Sequence, residues 1–415
     1  MGSALSLIAL IAWLPGDGWR ADATKARHAP GPADAFTIPC GEVMKTAGRL
    51  PTTSGGHGGL TDSTSPNVAQ TTVQKGHIMQ STNTQHNTPT LHSQLHAHHT
   101  IIKQSCEQAT QRTDKPLIVG YHTALILQYI PTPAQCRKKS AIQTVDVPGM
   151  AKLWKAGITP HQWIIGSAES LVPILPKLYA FDLFHAWAQM ATTSTFEQLI
   201  IMGDAIVQLL ADAITAGIPD SGTPIHARGS NITVQLSEEL AGRLQHAQHS
   251  MASNPTSAQS VVRTALGEFI KRPERYRGKS QCHKAYRHIT GTALSPQETR
   301  TRLALTRHGL PEPECNITIR DLHFTSGAPV TVDLAWRTAK IAIEYDGDHH
   351  RTQRAQWMND HQKRNLLQNN DWKVFVIDAA ALATDEARAN FAFSVARALE
   401  LRGTPTRFTP VARPW

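Results

Sequence analysis

The chain has 415 residues, and its 41 lysines and arginines against 32 aspartates and glutamates give a formal net charge of +9. This length accommodates two domains of ordinary size, and the positive charge favours an anionic partner such as nucleic acid. The five cysteines are scattered with no CxxC pair, which argues against a cysteine-based zinc site.

The first fourteen residues, MGSALSLIALIAWL, form an apolar run with no positive charge before it. The run has the length of a signal-peptide core but is too short for an ordinary membrane span, and Arg20, Lys25 and Arg27 follow it. An inefficient signal peptide and a misassigned start codon remain open. We predict a cytoplasmic protein with no membrane partner, and the odd number of cysteines agrees with a reducing compartment.

Residues 15 to about 113 are rich in Thr, Ser, Gln, Asn, Gly and Pro and contain few large apolar side chains. Such a segment buries too little surface to fold, so residues 1–113 are predicted to be an apolar start followed by a disordered stretch. Its histidines have no cysteine or carboxylate placed among them. A dedicated metal site is therefore not expected there.

Residues 114–225 are predicted to form a mainly helical or mixed α/β domain. Gly120–Ile130 has the composition of a short apolar helix that stops at Pro131. Tyr179–Met190 and Phe196–Ala216 carry apolar residues at helical spacing, so both are predicted to be core helices.

Residues 226–289 are predicted to be a linker that ends in a dense basic stretch, with Glu274 its single acid between residues 271 and 287. Basic side chains could neutralise phosphates, and the interleaved Tyr276 and Tyr286 could stack on bases. A solvated linker helix is the alternative. The predicted nucleic-acid-binding residues are Lys271, Arg272, Arg275, Arg277, Lys279 and Arg287.

Two strands rich in Val, Ile, Trp and Tyr are predicted at Thr331–Trp336 and Lys340–Tyr345, joined by a tight turn. With Arg337 and Thr338 as the central turn residues, Asp333 pairs with Ala342. Glu344 then becomes the diagonal neighbour of Asp333 on the same face, roughly 7 Å away at the backbone. Such a separation lets two carboxylates share one hard cation.

The same face also carries Asp346, by the period of two in a strand. Gly347 permits a sharp turn, and His349 and His350 beyond it can supply an imidazole as metal ligand or general base. The oxygen-rich set favours Mg²⁺, with Mn²⁺ as a substitute, although the histidines leave a softer ion open. The alternative is a strand cap and solvated carboxylates on an open face.

The motifs of the last third of the chain together resemble a known family. The run Ser295–Ala381 resembles the PD-(D/E)XK nuclease superfamily, in its branch similar to very-short-patch-repair (Vsr) endonucleases, known as domain of unknown function 559. The matching pieces are SPQETRTRLALTRHGLPEPE, VDLAW, IEYDGDHHRT, QW and DWKVFVID. The resemblance implies an α/β domain over residues 290–402, with a restriction-endonuclease-like mixed sheet flanked by helices, followed by a tail at 403–415.

The resemblance also implies roles for individual residues. Asp333 and Glu344 match the metal-binding acids, while Asp346 stands where the superfamily more often has a lysine that orients the attacking water. His350 matches the family histidine and would assist at the metal or as a base. Glu298 matches a helix acid that some members turn toward the metal, and an ordinary helix-capping role is its alternative.

The implied function is that of a metal-dependent endonuclease hydrolysing DNA phosphodiester bonds with Mg²⁺ or Mn²⁺ and no small-molecule cofactor. The alternative is a catalytically inactive nucleic-acid-binding or toxin–antitoxin-like regulatory protein that keeps the nuclease fold. Residues 114–225 are weakly similar to a region that resembles the AbiEi-type antitoxin fold, without a recognisable winged helix. Asp371 and Val376 depart from the family pattern near the last core strand. No oligomeric state is predicted.

Overall fold

The computed structural model describes residues 91–137, 141–146, 157–227, 232–251, 257–346 and 354–415. All of them belong to one compact unit. The expectations for residues 1–90 and for His349 and His350 lie outside the described residues.

The first half of the described chain is built around a five-stranded sheet with the strand order β3-β2-β1-β5-β4. Strand β1 runs parallel to β5 and antiparallel to β2, and its three residues are buried between these neighbours. The elements are helix α1 (Leu91–Gln111), strand β1 (Leu117–Val119), helices α2 (Tyr121–Leu127) and α3 (Ala134–Arg137), strands β2 (Ile142–Asp146), β3 (Ile158–Gln162), β4 (Leu171–Leu175) and β5 (Leu178–Phe181), and helices α4 (Leu183–Met190) and α5 (Phe196–Ile214).

Helices α2 and α5 confirm two of the predicted apolar helices, and α5 is capped by Thr195, whose hydroxyl accepts the Gln198 N–H. The prediction of one helix over Tyr179–Met190 was wrong in its first part, because strand β5 ends at Phe181. The carboxylate of Asp182 accepts the N–H groups of the next turn and so begins the helix there.

The predicted end of the disordered segment, at about residue 113, was also wrong. Helix α1 lies within that segment, and it packs against α2. Cys106 of α1 is fully buried, and the His99 ring stacks on Tyr129 at a centroid distance of 4.2 Å. Most residues of α1 are polar, and the helix is stabilised because its few apolar side chains pack against a neighbouring surface.

The segment 226–289 is not a linker. It holds a short hairpin and three helices, and the last two helices pack on α5. Phe269 and Ile270 are buried, so these helices extend the core of the first half. Their bounds are β6 (Ile225–His226), β7 (Thr233–Val234), α6 (Glu238–Ser250), α7 (Ala258–Lys271) and α8 (Lys279–Tyr286).

The second half is a four-stranded mixed sheet with helices against it, which agrees with the predicted α/β class. The strand order is β11-β10-β9-β8, with β10 and β11 parallel and the other neighbours antiparallel. The elements are α9 (Pro296–Arg307), β8 (Glu314–His323), β9 (Pro329–Trp336), β10 (Ile341–Tyr345), α10 (Arg354–Asn369), β11 (Lys373–Ile377) and α11 (Asp385–Leu401).

Apolar layers cover this sheet on both sides. Ile341 and Ile343 belong to a cluster that includes Leu399 of α11, while Ala342 belongs to a second cluster with Leu367 of α10. Alternate residues of β10 thus face opposite layers, as the period of two requires. The predicted tail is docked, because Arg407 and Thr409 donate backbone N–H groups to the carbonyls of Gly309 and His308, and Trp415 packs on Phe196.

A buried ion pair joins the two halves. Asp204 of α5 is 1% exposed, and its Oδ2 lies 2.9 Å from Nη2 of Arg302 in α9. The same carboxylate accepts the Thr299 hydroxyl and the Gly291 N–H. A buried carboxylate that is paired with a cation and accepts several hydrogen bonds holds the elements that contact it in one arrangement.

Among the described helices none combines the length and apolar character that a membrane crossing requires.

Candidate functional site

The β9–β10 hairpin brings two carboxylates face to face. Its register pairs Trp336 with Ile341 and Leu334 with Ile343. The predicted two-residue turn was therefore wrong, because the connection runs from Arg337 to Lys340 and Lys340 adopts a positive φ of 48°. One step further along this register, Asp333 lies opposite Glu344. Directly opposed residues are closer than diagonal ones, at about 4.5–5.5 Å.

Each carboxylate is held by a different partner. Oδ2 of Asp333 accepts the backbone N–H of Tyr345 at 2.8 Å, which ties its side chain to the neighbouring strand. Oε2 of Glu344 accepts from Nζ of Lys363 in α10 at 2.6 Å. Oε1 of Glu344 is buried without a hydrogen-bond partner among the described residues. A buried carboxylate oxygen in this state is costly unless a cation or a proton joins it.

The protonation of Glu344 follows from this arrangement. Burial is the largest cause that raises its pKa, the charge of Asp333 adds to it, and Lys363 opposes both. The net effect raises the pKa of Glu344 to about 7. Carboxyl groups whose pKa is shifted by burial and by a neighbouring charge are common in the clefts of functional sites.

Glu298 lies beside this pair at the start of α9. Its carboxylate accepts the Leu294 N–H at 2.8 Å and the Asn316 side-chain amide at 2.7 Å. The Ser295 hydroxyl accepts the Glu298 N–H, so Ser295 caps the helix as predicted, but the Glu298 carboxylate accepts the Leu294 N–H and does not complete a capping box with Ser295. Burial and then Asp333 raise the pKa of Glu298, which means that the Asp333 charge acts on both other acids.

The acids open onto a cavity of about 900 Å³. Asp346 lines it too, and its backbone N–H donates to the Ile377 carbonyl at 2.7 Å, just after β10 ends. The structure thus brings together four of the predicted residues, whereas His350 lies outside the described residues. The predicted residues that line the cavity are Glu298, Asp333, Glu344 and Asp346.

Lys363 is a site residue that sequence reasoning missed. Its ammonium group comes from α10 and donates to Oε2 of Glu344, whereas Asp346 follows the end of β10. Asp360, Lys363 and Arg364 all line the cavity. Their spacing of three and four residues on a helix that follows the acidic hairpin is the signal that could have indicated a shared polar face.

A second cluster of potential ligands lies in the first half of the chain. Asp182, His185 and Glu239 each offer a ligand atom within 4.8 Å of the others. The guanidinium of Arg272 already contacts this cluster, at 2.6 Å from Glu239 and 3.2 Å from Nε2 of His185. Burial acts to raise the pKa of Asp182, but His185 and the hydrogen bonds outweigh it and leave the pKa below its usual value. Arg272 thus supplies a positive charge to Glu239 within this cluster.

The predicted basic surface is smaller than its sequence suggested. The Arg272 side chain is only 10% exposed, and Nζ of Lys279 bonds to the backbone carbonyls of Arg272 and Glu274, so both are engaged within the protein. Tyr276 is buried against Trp163, which makes the predicted stacking on bases wrong for this ring. The residues of the prediction that remain exposed are Lys271, Arg275, Arg277 and Arg287.

Tyr286 is half-buried, and the guanidinium of Arg263 lies over its ring at 5.0 Å from the centroid. One face of this ring is thus already occupied by an intramolecular cation. Its predicted contact with a base stays a prediction.

Comparison with known proteins finds distant relatives only. Two proteins of Mycobacterium tuberculosis, "Uncharacterized protein Rv2248" of strain H37Rv and "Uncharacterized protein MT2308" of strain CDC 1551, are each 23% identical to this chain over 219 residues. The match covers 49% of this chain and 79% of each relative. No family model matches the chain. No solved structure matches it either.

Proposed function

We propose that this protein is a divalent-metal-dependent endonuclease that hydrolyses DNA phosphodiester bonds, with a PD-(D/E)XK-type core in its second half. The observation that carries the proposal is the pair of opposed carboxylates, Asp333 and Glu344, in a cavity where one Glu344 oxygen is buried without a described partner. Lys363 adds an ammonium group at the other oxygen of Glu344.

The order of elements supports this proposal. A helix is followed by three antiparallel strands, a second helix and a strand parallel to the third, and the acids lie on the two middle strands of the sheet. This is an α/β arrangement with a mixed sheet flanked by helices, as the sequence resemblance implies. The fold by itself would not assign an activity, so the proposal depends on the site.

The donor set fits a hard divalent cation. Asp333 and Glu344 would hold Mg²⁺ or Mn²⁺, with Glu298 next to Asp333, because carboxylate oxygens are the ligands that such ions prefer. A bound ion of this kind supplies Lewis-acid polarisation of the phosphodiester and a lowered pKa of water. Lys363 holds Glu344 in place by donating to its Oε2, and Arg364 lines the same cavity and can bind phosphate oxygens.

The test is cleavage of a panel of supercoiled, nicked, mismatched and single-stranded DNA with Mg²⁺ or Mn²⁺. We expect cleavage by the wild-type protein and none by Asp333→Ala or Glu344→Ala. Asp321→Ala is the matched control, because Asp321 is an exposed acid of β8 that does not line the cavity. Cleavage that survives both site substitutions would refute the proposal.

The Glu344–Lys363 ion pair also favours a second candidate, a DNA-binding protein with this fold and no turnover. The ammonium group at 2.6 Å neutralises Glu344 without a metal. The sequence resemblance also implies that Asp346 stands where the superfamily more often has a lysine. DNA binding that both alanine substitutions leave intact, with no cleavage on any substrate, would support this candidate.

A further inference from the structure

The cavity at the acids is a cleft between the two halves of the described chain. The second half supplies the acids and Lys363. The first half supplies the opposite wall through α1, the segment after α2 and the start of α5. The residues of this wall include Gln94, Leu95, Pro131 and Gln135.

The two sides of the cleft are firmly connected. At its edge, the Arg300 guanidinium of α9 lies 3.1 Å from the Glu197 carboxylate of α5. Behind it, the buried Asp204 of α5 binds Thr299 and Arg302 of α9. Since α5 and α9 both contribute residues to the cleft, these bonds set its width. The cleft is therefore part of the fold rather than a gap between independent domains.

The volume of the cleft limits what can enter. About 900 Å³ is a size typical of small-ligand pockets, which measure roughly 300–1,000 Å³. A few nucleotides of one strand fit such a space. A continuous duplex needs an open surface, since specific protein–DNA interfaces bury about 1,000–2,500 Å² of protein surface.

The two sides of the cleft differ in chemistry, and a single DNA strand can contact both of them. On the side with the Lys363–Glu344 pair, Arg364 lines the cleft and can bind phosphate oxygens. The opposite wall offers the half-buried apolar surfaces of Leu95 and Pro131, which suit the faces of bases. A duplex turns its phosphates outward and its bases inward, whereas an unpaired strand presents phosphate and base to opposite sides.

We propose that the substrate of this site is single-stranded DNA, presented as a free end or a flap that enters the cleft. This inference rests on the proposed nuclease function, and it specifies the substrate class of the same site.

The first experiment compares cleavage of one labelled sequence as a single strand, as a blunt duplex and as a duplex with an unpaired tail, using the full chain and Mn²⁺. We expect the single strand and the tail to be cut at least about tenfold faster than the duplex, a preference equivalent to about 1.4 kcal/mol. Equal or faster cutting within the blunt duplex would overturn the inference while leaving the nuclease proposal intact.

If no substrate is cut, a measurement of DNA binding still tests the inference. Anisotropy of a labelled single strand and of its duplex, with Ca²⁺ in place of Mn²⁺, should show the same preference of about tenfold. A preference for single strands without any cleavage would support the inference and count against the nuclease proposal. Binding that is equal or tighter for the duplex would overturn the inference.

Charge variants of the wall test where the strand lies. Gln94→Glu and Gln135→Glu each place a negative charge on the wall that faces the acids, where both glutamines line the cleft. Each should weaken single-strand binding about fivefold, as a like-charge repulsion of about 1 kcal/mol predicts. Gln248→Glu is the matched control, because Gln248 is exposed on α6 and does not line the cleft. Equal effects of all three variants would overturn the proposed path.

Discussion

Lys363 Nζ lies 2.6 Å from Oε2 of Glu344, so the positive charge of the acidic cleft comes from a helix and not from the strand that carries the acid. The pair is mostly shielded from solvent, with side-chain exposures of 17% and 19%. The arrangement gives Glu344 one neutralised oxygen and one buried oxygen without a described partner. Both the metal affinity and the reactivity of the site should depend on this pair.

Replacing Lys363 should abolish most cleavage without unfolding the protein. We expect Lys363→Met to lower the single-turnover rate about 10²- to 10³-fold, the usual loss when one positioned donor is removed from a reaction site. Lys373→Met is the control, because Lys373 is exposed on β11 and does not line the cavity. A Lys363→Met rate within about threefold of the wild type would show that Lys363 only neutralises Glu344.

Metal affinity should rise with pH through neutrality. Burial and the Asp333 charge raise the pKa of Glu344 to about 7, and a carboxyl must lose its proton to bind a metal. At pH 6 only about a tenth of Glu344 is ionised, so Mn²⁺ should bind about tenfold more weakly than at pH 8. Calorimetric titration at several pH values measures this directly.

The same titration with Lys363→Met provides the control. Lys363 lowers the pKa of Glu344, so removing it should move the midpoint of the affinity profile to higher pH. A flat profile between pH 6 and 8 in the wild-type protein would contradict Glu344 as a ligand.

The Asp204–Arg302 pair should be essential for stability. Arg302→Met leaves a buried carboxylate without its cation, which costs roughly 3–5 kcal/mol. Arg300→Met, which removes an ion pair whose arginine side chain is 41% exposed, should cost about 0–1 kcal/mol. Urea unfolding of both variants measures the difference. Equal losses would mean that the buried pair does not hold α5 against α9.

The basic stretch should separate into binding and structural residues. Arg275→Gln and Arg277→Gln replace exposed side chains, so each should weaken DNA binding and lower the slope of log K against log salt by about 0.7–0.9 for each phosphate that is no longer neutralised. Arg272→Gln should instead lower the melting temperature, because it removes the cation closest to Glu239. Thermal melts and salt titrations distinguish the two. An unchanged salt slope in the Arg275 and Arg277 variants would remove this surface from the DNA-binding site.

Local pattern in the sequence determined the elements that carry the site. Runs rich in Val, Ile, Trp and Tyr predicted both strands of the hairpin, and the capping residue Ser295 marked the start of α9. The apolar runs predicted α2 and α5 correctly. These features depend on neighbours within a few residues along the chain, which is the range over which propensity and periodicity act.

The hairpin register was decided by the structure, because the longer turn with Lys340 at positive φ shifts the pairing by two residues and sets Asp333 opposite Glu344. Three further features depend on partners that are 19 to more than 100 residues away along the chain. They are the contact of Arg272 with Glu239, the burial of Tyr276 against Trp163 and the contact of Lys363 with Glu344. The same holds for the cleft, whose second wall comes from a part of the chain far from the acids. Sequence pattern reports which face of an element is apolar, but only tertiary packing decides which other element covers that face.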